Sequence, residues 1–223
     1  MQIIDNKALL LRLRDPDKVV NAIPKSKAVG DNQVVVNWGL EEARSLNQLG
    51  IKSPSPIEAK YTWTGRYKPF DHQVSTASFL TLHQKGFCFN EQGTGKTASA
   101  IWASDFLMKQ GVINRVLVVC PLSIMDSAWR DDLFTFATHR TVSVAHGSAD
   151  KRSKIIQEGS DYVVINYDGV GIVLDDLKKG GFDLIIIDEA THYKNVQTRR
   201  WKLLRQLIRD NTWLWMMTGT PAA

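Results

Sequence analysis

The chain has 223 residues, with 28 Lys+Arg against 23 Asp+Glu, a formal net charge of +5 and a pI near 9.2. A hydrophobic fraction of 43% supports a full core and excludes a disordered chain, a collagen-like repeat or a coiled-coil rod. No run approaches the roughly 18–20 apolar residues of a membrane span, and the charges scattered through Met1 to Asp17 exclude a signal peptide or lipidation site there.

Ala8–Arg14 and Lys18–Ile23 flank Asp15-Pro16-Asp17 and predict two strands around a turn, because Pro presets φ and Asp favours turns. Val34–Trp38 predicts a third strand. Leu40–Leu49 has helical spacing at Leu40, Ala43, Leu46 and Leu49, with Gly50 to stop it. Ile51–Gly65, with its Ser-Pro-Ser-Pro, reads as a connector. The expected domains are a small basic β-β-β-α unit with its linker over 1–60 and a larger domain over 61–223. Residues 1–70 hold 11 Lys+Arg against 7 Asp+Glu, and the rest 17 against 16, so the excess of charge lies in the N-terminal third. Two readings of that excess stand: a solvated face, or an accessory element facing nucleic acid. Trp38 and Trp63 are candidates for stacking on bases, whereas Trp102, Trp129, Trp201, Trp213 and Trp215 read as core.

From Asp71 strands and helices alternate. The helices are expected at Asp71–Gln84, Thr97–Gln110, Ser123–Ala137, Ala149–Glu158, Gly169–Lys179 and Thr198–Arg209. The strands are expected at Phe87–Phe89, Val116–Cys120, Val142–Ala145, Tyr162–Ile165, Leu184–Ile187 and Leu214–Met217. Continuous apolar runs such as Val116–Val119 and Leu184–Ile187 fit strands covered on both faces. The fold class is therefore α/β, a doubly wound parallel sheet with ligand beyond the strand carboxyl ends. Cys88 and Cys120 sit in apolar runs as small hydrophobes, which fits a reducing, intracellular setting in cytoplasm, nucleoid or nucleus. The five histidines have no metal-ligand spacing.

The segment from Phe87 to Thr97 is a strand running into Asn90-Glu91-Gln92-Gly93-Thr94-Gly95-Lys96-Thr97 and then a helix. Gly93 and Gly95 let the backbone wrap a phosphate, with Thr94 between them, and successive N–H groups face the anion. Lys96 would reach the β- and γ-phosphates, and the Thr97 hydroxyl would ligate Mg²⁺. Asn90 stands where the general pattern has Gly. The strand 184–187 ends in Asp188-Glu189: Asp188 suits Mg²⁺ and Glu189 suits a general base. The expected cofactors are ATP and Mg²⁺, and Lys96, Asp188 and Glu189 form the catalytic set.

Taken in order, these motifs resemble superfamily-two helicase-like motors, and within them the Swi/Snf family of DNA translocases. Tyr67-Lys68-Pro69-Phe70-Asp71-His72-Gln73 is similar to the family's adenine-reading motif, which makes Gln73 the reader. Asn90 to Thr97 resembles Asp-Glu-x-Gly-x-Gly-Lys-Thr, with Asn90 for Asp. Val118 to Ser123, followed by Trp129, resembles the segment that meets DNA phosphates, which implicates Pro121 and Ser123. His146-Gly147 and Val163 to Tyr167 fall where further motifs are expected, and Asn166 and Tyr167 are the contact candidates there. Asp188 to Asn195 is similar to Asp-Glu-Ala-His-x-x-Lys-Asn, but Thr191 holds the histidine's place and His192 comes one residue late, so that role is not carried over. Thr218-Gly219-Thr220-Pro221 matches the motif coupling nucleotide state to domain movement, through Thr218 and Thr220.

The resemblance covers Tyr67 to Pro221 and implies a RecA-like P-loop lobe with helices on both faces of its sheet, preceded by a small β-rich α+β unit. Family members hydrolyse ATP between two such lobes. The ending Pro221-Ala222-Ala223 therefore reads as a truncation, with a second lobe expected in the parent protein and weak hydrolysis from this chain alone. Three functions stand: a motor lobe on duplex or branched DNA in repair, replication or recombination, binding without sequence preference; an RNA or single-strand helicase lobe; or a one-lobed nucleotide-clamped module that binds DNA or a partner. Neither a membrane partner nor an oligomeric state is implied.

Overall fold

The structure, a computed structural model, describes residues 1–220. Pro221 of the coupling motif lies outside the described residues, as do Ala222 and Ala223. The chain divides into two compact units, Met1–Thr62 with Thr81–His83, and Trp63–Leu80 with Gln84 onward.

The first unit contains β1 (Gln2–Ile4), β2 (Ala8–Arg12), α1 (Asp17–Ala22), β3 (Ser26–Ala28), β4 (Gln33–Asn37), α2 (Leu40–Gln48) and the single turn α3 (Ile57–Lys60). Its antiparallel sheet has the order β1-β2-β4-β3. The expected β-β-β-α arrangement is corrected here: Lys18–Ile23 is largely the helix α1. Pro16, with φ −62°, presets the first turn, and the Asp15 carboxylate accepts from the Lys18 N–H. Val19 lies within α1, while Ile23 caps its end with extended backbone (φ −124°, ψ 102°) and donates its N–H to the Val19 carbonyl at 2.9 Å, and both side chains are buried. β3 went unseen because three residues show no alternation. Leu9 and Leu11 of β2 and Val34 and Val36 of β4 alternate inward to meet Val19, Ile23, Trp38 and Leu46.

Trp38 is no stacking platform. It is 1% exposed, and its indole N–H donates to the Pro54 carbonyl at 2.9 Å. In the second unit Trp63 packs edge-on against Trp102, with ring centroids 5.5 Å apart.

The second unit contains α4 (Asp71–Leu82) as far as Leu80, β5 (Lys85–Cys88), α5 (Lys96–Lys109), β6 (Val116–Cys120), α6 (Asp131–Phe136), β7 (Val142–Ala145), α7 (Ala149–Gln157), β8 (Tyr162–Asn166), α8 (Tyr167–Ile172), α9 (Leu174–Lys179), β9 (Leu184–Asp188), α10 (Arg199–Arg205) and β10 (Trp213–Met217). Six parallel strands run in the order β5-β10-β9-β6-β8-β7. One sheet face, with Leu117, Val119, Val163, Ile165, Ile185 and Ile187, packs with Ile156, Val170, Leu177 and Leu204 from α7 to α10. On the other face the Tyr162 hydroxyl of β8 meets Ser104 of α5 at 2.7 Å.

Two expected helices are broken. In place of the helix expected at Ser123–Ala137, residues 122–136 form a 3₁₀ turn at Leu122–Ile124, a π turn at Met125–Arg130 and then α6. The expected Gly169–Lys179 helix divides at Val173, whose φ of −125° and ψ of 35° separate α8 from α9. Among the described residues no helix is long and apolar enough to cross a membrane.

Candidate nucleotide and nucleic-acid site

Sheet register brings the motifs together. Cys88, Met217 and Asp188 form one row across β5, β10 and β9. Val119 pairs with Ile187, and Cys120 with Asn166. The segments that follow β5, β10, β9, β6 and β8 therefore emerge at one carboxyl edge. Neighbouring strands lie about 4.8 Å apart, so the phosphate loop and the acidic end are separated only by β10.

The phosphate loop joins β5 to α5. Gly93 and Gly95 both adopt left-handed backbone, with φ of 76° and 75°. That region is open to glycine at no steric cost. A Cβ on Gly95 would also lie 2.1 Å from Gln73 Nε2. Lys96 is buried, and its ammonium donates to the carbonyls of Asn90 and Glu91, at 3.0 Å each. Thr94 Oγ1 donates to the Glu91 carbonyl at 2.8 Å. The loop is tied to α4: Asn90 Nδ2 donates to Thr76 Oγ1 at 2.7 Å, and Gln73 Nε2 donates to the Thr94 carbonyl at 3.2 Å. Gln73 Oε1 accepts from the Phe70 N–H at 3.0 Å.

At the end of β9, both oxygens of Asp188 are engaged. Oδ2 accepts from the Trp129 indole N–H at 2.9 Å, and Oδ1 accepts from the Glu189 N–H at 3.0 Å. Burial pushes this carboxyl above its ordinary value, while those two bonds and the Lys96 charge act in the opposite direction. Glu189 takes left-handed backbone, φ 51°, which turns the chain sharply off the strand. Its Oε2 accepts from the Thr218 hydroxyl at 3.3 Å, and Thr218 Oγ1 also accepts from the Thr220 N–H at 3.2 Å. The Tyr167 hydroxyl donates to the carbonyls of Asp188 and Glu189, at 2.6 and 3.2 Å.

Of the four nucleic-acid candidates, Ser123 is exposed on its 3₁₀ turn just past the half-buried Pro121. The side chains of Asn166 and Tyr167 turn inward. Asn166 Oδ1 accepts from buried Arg152 at 3.0 Å, and Tyr167 is spent on the acidic strand end. Trp129 is buried as its spacing predicts, but neither its bond to Asp188 nor the Asn90–Thr76 tie is legible in the sequence. Both join residues with no local signature of pairing.

A family model described as the SNF2-related domain matches residues 32–223. The chain belongs to that family. The ISWI chromatin-remodeling complex ATPase ISW2 of Saccharomyces cerevisiae is 30% identical over 68% of this chain and 14% of its own length. The ATP-dependent helicase fft2 of Schizosaccharomyces pombe is 30% identical over 90% of this chain and 18% of its own length. The chain thus spans less than a fifth of these two relatives. Among solved structures, the Sulfolobus solfataricus SWI2/SNF2 ATPase core in complex with dsDNA superposes with a TM-score of 0.62. It is 28% identical, and the match covers 71% of this chain and 33% of that one. The second unit of this SNF2-related domain therefore has the RecA-like fold.

The SNF2-related domain has the donor set that Mg²⁺ prefers, namely hard oxygens. Asp188 would supply a carboxylate, and the Thr97 hydroxyl makes no hydrogen bond among the described residues. Among those residues no cluster of three His, Cys, Asp or Glu forms a dedicated cage.

Proposed function

We propose that this chain is the ATP-binding motor lobe of an ATP-dependent DNA translocase, an ATP hydrolase acting on duplex or branched DNA without sequence preference. The observation that carries the reading is the row Cys88, Met217, Asp188, which puts Lys96 and the Asp188-Glu189 pair at one sheet edge. In this reading the N–H groups of Gly93 to Thr97 and the Lys96 ammonium bind the phosphates, and Gln73 reads the N6 and N7 edge of adenine. Thr97 and Asp188 would hold Mg²⁺, which supplies charge neutralisation on the phosphates when bound. Glu189 orients a water and accepts its proton, held by the Thr218 hydroxyl. Thr218 and Thr220 pass the state of that carboxylate to the following chain.

The duplex in the Sulfolobus neighbour supports DNA as the partner. Exposed Ser123 beside Pro121 offers a phosphate contact, as do the backbone groups of Asn166 and Tyr167, and such contacts carry no base information. The parent protein would supply a second RecA-like lobe. The arginine expected from that lobe is worth on the order of 10³–10⁵ in rate in related NTPases. Chromatin-remodelling and helicase relatives favour work on DNA inside the cell; repair, replication or recombination is the narrower setting we propose. The first unit would be an accessory grip, since Arg12 and Lys27 stand on the sheet face opposite its core.

The test compares ATP turnover by the parent protein with duplex DNA, single-stranded DNA and RNA, for the unaltered chain and Glu189→Gln. Duplex DNA should stimulate most. Glu189→Gln should keep nucleotide binding and lose turnover, because an amide cannot accept the proton. Unaltered turnover in Glu189→Gln would remove Glu189 as the base, and stimulation by RNA alone would remove DNA as the partner.

A further inference from the structure

We infer that the groove between α8 and α10 seats a backbone phosphate of the nucleic acid, held by Arg199 and Arg200. The inference rests on the reading that the chain binds duplex DNA. The groove is a cavity of about 480 Å³ lined by Tyr167, Asp168, Ile172, Arg199, Arg200 and Leu203. The two helices approach closely because Gly171 has no side chain: a Cβ there would lie 2.8 Å from Leu203 Cδ1.

Its two arginines differ in state. Arg199 is exposed and has no hydrogen-bond or ion-pair partner among the described residues. Arg200 is already aimed: its guanidinium lies over the Tyr167 ring, 5.7 Å from the centroid, and Nε and Nη2 stand 3.0 and 2.8 Å from Asp168 Oδ1. The Asp168 side chain is 69% exposed, so water screens this pair and a stronger anion can replace the carboxylate. With two guanidinium groups and one exposed carboxylate among its lining residues the groove is net positive, and the planar fork of arginine matches phosphate oxygens in pairs. The apolar walls, Ile172 and Leu203, suit the sugar beside a phosphate better than a run of acidic side chains.

Position favours a polynucleotide as well. α8 continues directly from β8, whose Asn166 pairs with Cys120, the residue before Pro121. The groove and the Ser123 turn therefore belong to neighbouring strands at one edge, so a continuous backbone can meet both. Tyr167 lies under Arg200 and holds the carbonyls of Asp188 and Glu189, which sets the phosphate seat one residue from the acidic strand end.

The experiment measures binding of a labelled duplex oligonucleotide by anisotropy over a salt series. Each phosphate neutralised contributes roughly 0.9 to the log–log slope. Arg199→Ala/Arg200→Ala should therefore flatten the slope by about 1–2, with the thermal midpoint unchanged. Lys178→Ala/Lys179→Ala removes the same charge from the last turn of α9, which leads back to the amino end of β9, and should leave the slope as it is. Asp168→Asn should tighten binding several-fold by removing the competing carboxylate, where a purely structural ion pair would make it weaker or neutral. Equal slopes for the unaltered and double-arginine chains overturn the groove alone, as does equal flattening by the lysine control. Absence of salt-dependent duplex binding by the unaltered chain overturns the nucleic-acid reading and the groove with it. Tighter binding of polyglutamate than of the duplex would assign the groove to an acidic protein partner and overturn the inference.

Discussion

The indole N–H of Trp129 donates to Oδ2 of Asp188 at 2.9 Å, across 59 residues of sequence. Trp129 is fully buried at the end of a π turn, and Asp188 closes the central strand β9. The bond fixes the rotation of the carboxylate proposed to hold Mg²⁺. Trp129→Phe keeps most of the ring volume and leaves that oxygen unmatched. A buried acceptor without its donor costs about 1–3 kcal/mol, and we expect a loss of that size in urea denaturation. Trp129→Ala adds a cavity and should cost about 3–5 kcal/mol. A Phe variant as stable as the unaltered chain would show that water replaces the indole.

Gln73 is held on the phosphate loop through Thr94 and on the chain through Phe70, so its amide is already oriented. Gln73→Ala should reduce discrimination between ATP and GTP by about one order of magnitude or more, in line with about 1–3 kcal/mol for a bidentate amide contact to adenine. Equilibrium titration with both nucleotides checks this. Equal affinity for ATP and GTP in the unaltered chain would remove Gln73 as the reader.

Burial, with the neighbouring Asp131 charge, pushes the Asp132 carboxyl up to about 6 from its ordinary 3.8. The folded state therefore holds this proton more tightly than the unfolded chain does. The stability it contributes is complete below about pH 4, declines as pH rises and is gone above about pH 6. Asp132→Asn should match the unaltered chain in urea midpoint near pH 4 and exceed it at pH 7. A difference between the two that does not change with pH would place Asp132 at an ordinary value in the folded state.

In the first unit, Lys27 pairs with Val35 and Arg12 with Gln33, which puts both cations on the face away from Leu9, Leu11, Val34 and Val36. Arg12→Ala/Lys27→Ala should flatten the salt slope of duplex binding by about 1–2 if the face grips DNA, with ATP affinity unchanged because Gln73 and Lys96 are untouched. An unaltered slope would leave these charges as a solvated surface.

What could be read from the chain itself was whatever adjacent residues spell out. The loop from Asn90 to Thr97 is legible because left-handed turns demand glycine at particular places, and Gly93 and Gly95 occupy them. The core strands are legible because four successive apolar residues, such as Leu184 to Ile187, suit a strand covered on both faces. Period alone failed at Lys18–Ile23: a valine pair after Asp-Pro-Asp reads as a strand, yet residues 17–22 form a helix that buries Val19, and the extended cap residue Ile23 is buried after it. Tertiary structure alone decided that β10, last in the chain, inserts between β5 and β9, and that Trp129 meets Asp188. It also turned Asn166 inward to Arg152 and buried Trp38. Backbone conformation depends on neighbours a few residues away, so sequence carries it. Strand order and long-range hydrogen bonds depend on which apolar faces and polar groups find each other once the chain is packed, and no local pattern records that choice.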